Sequence, residues 1–375
     1  VMAGVGFMAF GMAISKVIKT GKEFEQSMAN VRAVSGATDK QFEALVNNAK
    51  KLGAETVHTA SAVAGLQTEY AKLGFTADQI VQVTEGTLAL STAVGADLDT
   101  AASTAGATLK GFGLDVSETN RVTDVMALSM SKSALDMAKF TDSMKYVAPI
   151  AKQAGVSLEG TTAILGTLAD SGIDGSMAGT SLRKILLEAG TAGSKLADAM
   201  GGPITSMEDF QEKMAKLKED GIDPLADGVD LVGGRAVTAF GILLDGADKT
   251  EILKNELIEA EGAAQEMADI QLDTFEGSLK LAGSAVDGLS IKIFDLVEEP
   301  LTDMIKGFAD FVSGIDEEEI KSYATALGIV AGAMMAMHLK TVLASESTKQ
   351  LIRQQGLLRA AMMRTPWGLV AGVAA

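Results

Sequence analysis

Residues 168 to 187 read LADSGIDGSMAGTSLRKILL, and they parse as two helices meeting at a glycine-rich corner. Thr161 to Leu168 reads as the end of one amphipathic helix, and Ser176 opens the next. In that second helix Ala178, Leu182, Ile185 and Leu186 recur at helical spacing, alternating with Met177, Ser181, Lys184 and Glu188. Gly172, Gly175 and Gly179 allow a tight turn and a close approach of backbones. If one such corner recurs along the chain, the fold is a stack of short helices.

The composition points the same way. The chain has 375 residues, 47% of them hydrophobic, which is enough to bury a sizeable core. Aromatic residues make up only 5%, and there are 5 prolines against 40 glycines and 19 methionines. Small, unbranched side chains of this kind suit helices packed closely together. With no cysteine, disulfides, zinc ribbons and cysteine nucleophiles are excluded. The net charge of −17 is unevenly spread: residues 251 to 321 carry 18 acidic and 5 basic side chains, whereas 322 to 375 carry 1 and 5. An acidic middle argues against gripping nucleic acid through its phosphates, which takes clustered Lys and Arg.

From Lys22 to Gly190 the chain repeats a capped helix closed by glycine. Phe24, Met28 and Val31 form one apolar stripe, ending near Gly36. Thr38 to Gln41 fits a capping box, in which hydroxyl and amide satisfy orphan N–H groups at a helix start. Phe42, Leu45, Val46, Ala49 and Leu52 follow at helical spacing to Gly53, the expected stop. The next helix ends at Gly74, Thr76 to Gln79 is a second capping box, and its helix ends at Gly95. Asp97 caps another that closes at Gly111-Phe-Gly113. One more spans Asp115 to Met130, and another spans Thr141 to Gly155, where Pro149 should kink it or mark its end. No stretch alternates long enough to make a sheet. Ala71-Lys-Leu-Gly-Phe-Thr76 and Lys152-Gln-Ala-Gly-Val-Ser157 echo one another, each preceding a helix with Thr-Leu-Ala, so the region reads as a degenerate duplication of about 80 residues.

The expected architecture is all-α: a compact multi-helix domain of short glycine-terminated helices, with long hydrophobic helical arms at both ends. Residues 1–20 form a hydrophobic helix, 21–200 the helical core with its internal repeat, and 201–250 an irregular subdomain containing Gly and Pro. Residues 251–313 form long acidic helices, which Pro300 should break. Residues 314–375 form a hydrophobic helical segment opened by Asp316 to Glu319, acidic residues that suit a helix start. Within it Gly328-x-x-x-Gly332 and, after Trp367, Gly368-x-x-x-Gly372 are candidates for helix association or membrane contact.

Catalytic patterns are missing from the sequence. His58 reads as a polar residue at a turn and His338 as a packing residue, and no HExxH, phosphate-binding loop or nucleophile elbow occurs. Asp170-x-x-x-Asp174-Gly175 fails as a calcium loop, with Gly172 at position three and Ser181 at position twelve. No cofactor, metal site or catalytic residue is expected.

Ala178-Gly-Thr-Ser-Leu-Arg183, placed after Leu168-Ala-Asp-Ser-Gly-Ile173, resembles the central signature of phage tail tape measure proteins. The resemblance extends in order across residues 20 to 310. Its signature positions here are Gly74, Gly95, Asp97, Gly111, Asp124, Gly155, Gly172, Gly175, Gly179, Thr180, Leu182 and Arg183. It implies a non-enzymatic structural segment that acts in tail assembly and tail-length determination and is released at genome ejection. It also implies several partners: tail tube protein, tail-tip or baseplate proteins, tail assembly chaperones, further copies of itself, and the host inner membrane. The implied location is the tail lumen of the virion, after the host cytoplasm during assembly. A second reading, from the apolar runs at 1 to 14 and 324 to 375, is a membrane-inserting or pore-forming helical protein of phage DNA entry or of a toxin system.

Overall fold

The computed structural model describes residues 2 to 313. Among the described residues the regular structure is sixteen α-helices and one 3-10 turn, without a strand, so the chain is all-α. Residues up to Val297 form one unit, and Glu298 opens a second. Gly328, Gly332, His338, Trp367, Gly368, Gly372 and the acidic run at 316 to 319 lie outside the described residues.

The first nine helices are α1 (Met2–Ser35), α2 (Asp39–Glu55), α3 (Ala60–Lys72), α4 (Ala77–Val94), α5 (Leu98–Phe112), α6 (Thr119–Lys132), α7 (Met137–Gln153), α8 (Leu158–Asp170) and α9 (Gly175–Gly190). Alternate helices of this series pack against one another, most extensively α1 with α3, α4 with α6 and α7 with α9. α1, α3, α5, α7 and α9 thereby line up as one layer, and α2, α4, α6 and α8 as a second. Short helices follow at α10 (Lys195–Ala199), α11 (Met207–Glu219), α12 (Gly228–Val232) and α13 (Val237–Asp245). Then α14 (Ala247–Ile258) covers α8 and α6, α15 (Ala263–Leu272) covers α4 and α6, and α16 runs from Phe275 to Ser313. Helix α8 is enclosed on every side: all its residues but Asp170 are buried. Its run of Gly, Thr and Ala lets neighbours approach, with Gly160 against Met207 and Gly166 against Leu253.

The turns between α3 and α4, α4 and α5, α5 and the 3-10 turn before α6, α7 and α8, and α8 and α9 share a three-residue form. First comes a glycine at φ between +62° and +82°, a conformation that a Cβ disfavours. Next is an apolar residue whose N–H reaches back to the last turn of the helix, as from Phe75 to Tyr70 O at 3.1 Å and from Val156 to Ala151 O at 2.9 Å. This is the Schellman arrangement, which satisfies carbonyls that the helix end leaves unpaired. Phe75, Val156 and Ile173 are buried as they do so. The third residue is Thr, Ser or Asp and starts the next element. Thr76 accepts from Gln79 N–H within a complete capping box, and Ser157 accepts from Gly160 N–H. The box at Thr38 is also complete.

Three expectations are corrected. Gly53 does not close α2; it lies inside the helix, where its missing Cβ makes room for the backbone of Ala60. Pro149 does not end α7, because the carbonyl it deprives of a donor belongs to exposed Lys145, where water can serve. By the same reasoning Pro300 does not break α16, since the carbonyl left over is that of exposed Leu296.

The corners give a graded prediction. Thr76→Ala removes one cap and should cost about 1 kcal/mol. Gly155→Ala adds a strained φ of +72° to a Cβ placed 2.1 Å from the Thr205 carbonyl oxygen, and should cost at least about 2 kcal/mol. Urea unfolding followed by circular dichroism should rank them in that order, and equal midpoints would contradict the corner mechanism.

Candidate functional site

The stretch at 168 to 187 lays α9 in extensive contact against α7. Gly179 sits on the backbone of Ser143: a Cβ there would lie 2.4 Å from the Ser143 carbonyl oxygen and 2.7 Å from its Cα. The Ser143 hydroxyl donates to Gly175 O at 2.8 Å, joining the start of α9 to the middle of α7. Lys139 on α7 pairs with Asp174 at 3.0 Å, and the hydrogen bond to that carboxylate raises the lysine's pKa. Ala178, Leu182, Ile185 and Leu186 are fully buried, as their spacing predicts. Ser181 departs from the polar set and is buried too. Ser143 and Lys139 are partners the sequence pattern does not reveal, because a small residue at one turn of α7 carries no signal until α9 is laid on it.

The other signature positions are distributed through the layers and do not converge on one place. Gly74, Gly95, Gly155 and Gly172 occupy corners, and Gly175 begins α9 at φ +52°. Asp97 stands at the start of α5 without a side-chain cap bond. α5 closes at Gly111-Phe-Gly113 as expected, with Gly113 as the cap, and Gly111 in the last turn also makes room for α7, since a Cβ there would stand 2.9 Å from Ala148 Cβ. Gly106 does the same work between α5 and α3, facing Leu73 and Tyr70. Thr180 is exposed and donates to Ser176 O within its own helix at 2.7 Å, and Arg183 is exposed.

Asp124 on α6 has the most specific role. Its buried carboxylate accepts from Gly262 N–H and from Ala264 N–H, both at 2.9 Å. It thus caps α15, whose own capping position is a glycine without a side chain. A charged acceptor at a helix N-terminus meets both the free N–H groups and the positive end of the helix dipole. One side chain ties the even layer to a helix about 140 residues later.

Among the described residues no three His, Asp or Glu side chains are placed to hold a metal ion. A groove of about 590 Å³ between α2, α4, α15 and α16 carries Glu55, Glu85, Asp269 and Asp273 and no cationic side chain. A smaller one of about 260 Å³, between α5 and α7, is mostly apolar. His58 is half-buried, with Nε2 3.0 Å from the Thr92 hydroxyl, and burial lowers its pKa. Among the described residues no helix is long and apolar enough to cross a membrane.

Fold and interior together define a helical packing protein, built from glycine-mediated contacts. Residues 46–233 match the family model described as phage-related minor tail protein. The chain belongs to that family. It is similar to a tape measure protein of Pneumococcus phage Dp-1, 29% identical over 86% of this chain and 30% of that protein. A probable tape measure protein of Escherichia phage P2 is 31% identical, over 89% of this chain and 44% of that one. A third, from Clostridium phage phiCD119, is 25% identical over 93% and 39%. The chain thus spans less than half the length of these relatives. No solved structure matches it.

Substitutions at the signature should separate into two classes. Gly179→Ala must push α7 and α9 apart and should cost about 3 kcal/mol or more, and Asp124→Ala, which orphans two N–H groups, about 2–3 kcal/mol. Arg183→Ala should stay within about 0.5 kcal/mol of the parent. Thermal or urea unfolding of the three variants tests this; a large loss at Arg183 would assign that residue a packing role the structure does not give it.

Proposed function

We propose that this chain is a non-enzymatic structural segment of a tape measure protein, acting in tail assembly and in setting tail length, and released at genome ejection. The observation that carries the reading is the family match across 46–233, the span that contains every corner from Gly74 to Gly172 and the α7–α9 contact. The physics supports it. A helix advances about 1.5 Å per residue, so the 39 residues of α16 extend roughly 60 Å, whereas the layered helices before it fold length away. In this reading the layered body is a fixed unit within a longer filament, and continuous helix is the part that measures. Tube protein, tip proteins and assembly chaperones are the partners such a segment would meet, in the host cytoplasm and then in the tail lumen.

In-frame deletions placed in continuous helical segments of the parent gene should shorten tails by about 1.5 Å per residue removed, measured by electron microscopy. Deletions inside α3 to α9 should instead abolish assembly. Tails of unchanged length after helical deletions would overturn the length-setting role.

A further inference from the structure

Helices α14, α15 and α16 lie over the second layer, and they leave a gap in its cover. α14 covers α8 and α6, and α15 covers α6 and α4. α16 meets α2 at Gly288, packed against Ala54, and at Asp295, paired with Lys50 at 2.6 Å. Between α15 and the first turns of α16, the groove of about 590 Å³ opens onto α2 and α4. Two helical stripes line it: Glu85, Leu88, Ala89 and Thr92 from α4, and Gln265, Ala268, Asp269 and Leu272 from α15. Both stripes have the same residue spacing, that of one helix face over two turns, roughly 10 Å long. The bottom is apolar and buried at Leu52, Leu88 and Ala268, and the half-buried Val57, Ala89, Leu272 and Leu281 still have area to lose. Glu55, Glu85, Asp269 and Asp273 are exposed around it. Among the described residues no lysine or arginine pairs with Glu85, Asp269 or Asp273, and Glu55 has Lys51, one turn back, at 3.9 Å.

We propose that this groove docks a short amphipathic helix of a partner protein, one whose apolar stripe is flanked by lysine or arginine. Shape and charge together select that occupant. Walls two turns long suit a helix that inserts side chains at i, i+3 or i+4, and i+7. Carboxylates around an apolar bottom attract the cations beside such a stripe and repel an acidic helix. A bare metal ion is the poorer fit, since among the described residues no three of these carboxylates are placed to hold one, and an ion would leave the apolar walls wet. The groove stands open in the folded chain, so docking needs no rearrangement of the body. This docking chemistry is independent of the tail role.

A dye-labelled synthetic peptide of leucine and lysine in an amphipathic helical pattern, about 15 residues and so about four turns long, stands in for the partner helix. Titrated with the purified 375-residue chain and followed by fluorescence anisotropy, it should bind at one site. A peptide that keeps the lysines but has glutamine for leucine should bind at least about tenfold more weakly, and a leucine–glutamate peptide should not bind. Glu85→Lys with Asp273→Lys should weaken binding at least about tenfold. Asp198→Lys with Glu219→Lys, the same charge change at exposed positions on other helices, should alter it less than about twofold. Ala89→Trp fills the groove without changing any charge and should also weaken binding about tenfold or more, with the far-ultraviolet helical signal of the parent. If the tryptophan variant loses that signal, the two charge-reversed pairs and the glutamine–lysine peptide still decide the case. Equal binding of the glutamine–lysine peptide, equal losses from the two charge-reversed pairs, full binding to a folded Ala89→Trp chain, or displacement of the peptide by equimolar spermidine would each overturn the proposal.

Discussion

Every helix leaves four carbonyls unpaired at one end and four N–H groups at the other. The run from α2 to α9, made of helices 13 to 18 residues long, faces that cost at closely spaced intervals, and its answer organises the molecule. In the glycine–apolar–cap corner, one residue turns the backbone, the next returns a hydrogen bond and buries its side chain, and the third starts the following element. Nothing is left for a flexible loop to do. Each corner therefore fixes the direction of the next helix, and the helix after that comes back alongside. The two layers follow from the corners repeated.

Corners alone do not hold layers together; close contact between alternate helices does. Gly106 brings α5 to α3, Gly111 brings it to α7, and Gly179 brings α9 to α7. A glycine inside a helix costs roughly 0.5–1 kcal/mol relative to alanine, so each such position weakens its own helix in return for approach to a neighbour. The two kinds of glycine serve opposite ends: those at the corners, such as Gly74, Gly95, Gly113, Gly155 and Gly172, stop helices, and those within helices join them. The hydroxyls between layers add specificity. Tyr70 meets Thr87 at 2.6 Å and Thr167 meets Thr250 at 2.8 Å, each pair buried and each satisfying the other.

That distinction also explains what could be read from the sequence. The corners were legible because glycine followed two residues later by Thr, Ser or Asp is a local signal with a local cause. The apolar stripes of α2, α3 and α9 were legible for the same reason. Gly53 was misread as a stop because, in one dimension, a contact glycine and a terminating glycine look alike; only the neighbour Ala60 separates them. The cap that Asp124 gives to α15 was beyond reach, since its partners lie about 140 residues away. Signature positions such as Asp124 and Gly179 are then understood as points where distant helices meet, and Thr180 and Arg183, exposed on the same helix, are not explained by packing.

Periodicity misleads in a different way at α16. Leu281, Val286, Leu289 and Ile293 are all compatible with one helix, yet Leu281 turns towards the α2–α4 groove while the other three face outwards. A helix that is apolar on two sides must be covered on two sides, and the body covers one. Among the described residues from α2 to α9 the exposed apolar side chains are few, such as Tyr146 on α7 and Met177 and Leu187 on α9. The division of labour is thus written in where the apolar surface is left over. Short cornered helices bury most of theirs within the layers, whereas α16 leaves Phe275, Leu279, Val286, Leu289, Ile293 and Leu296 exposed along one side.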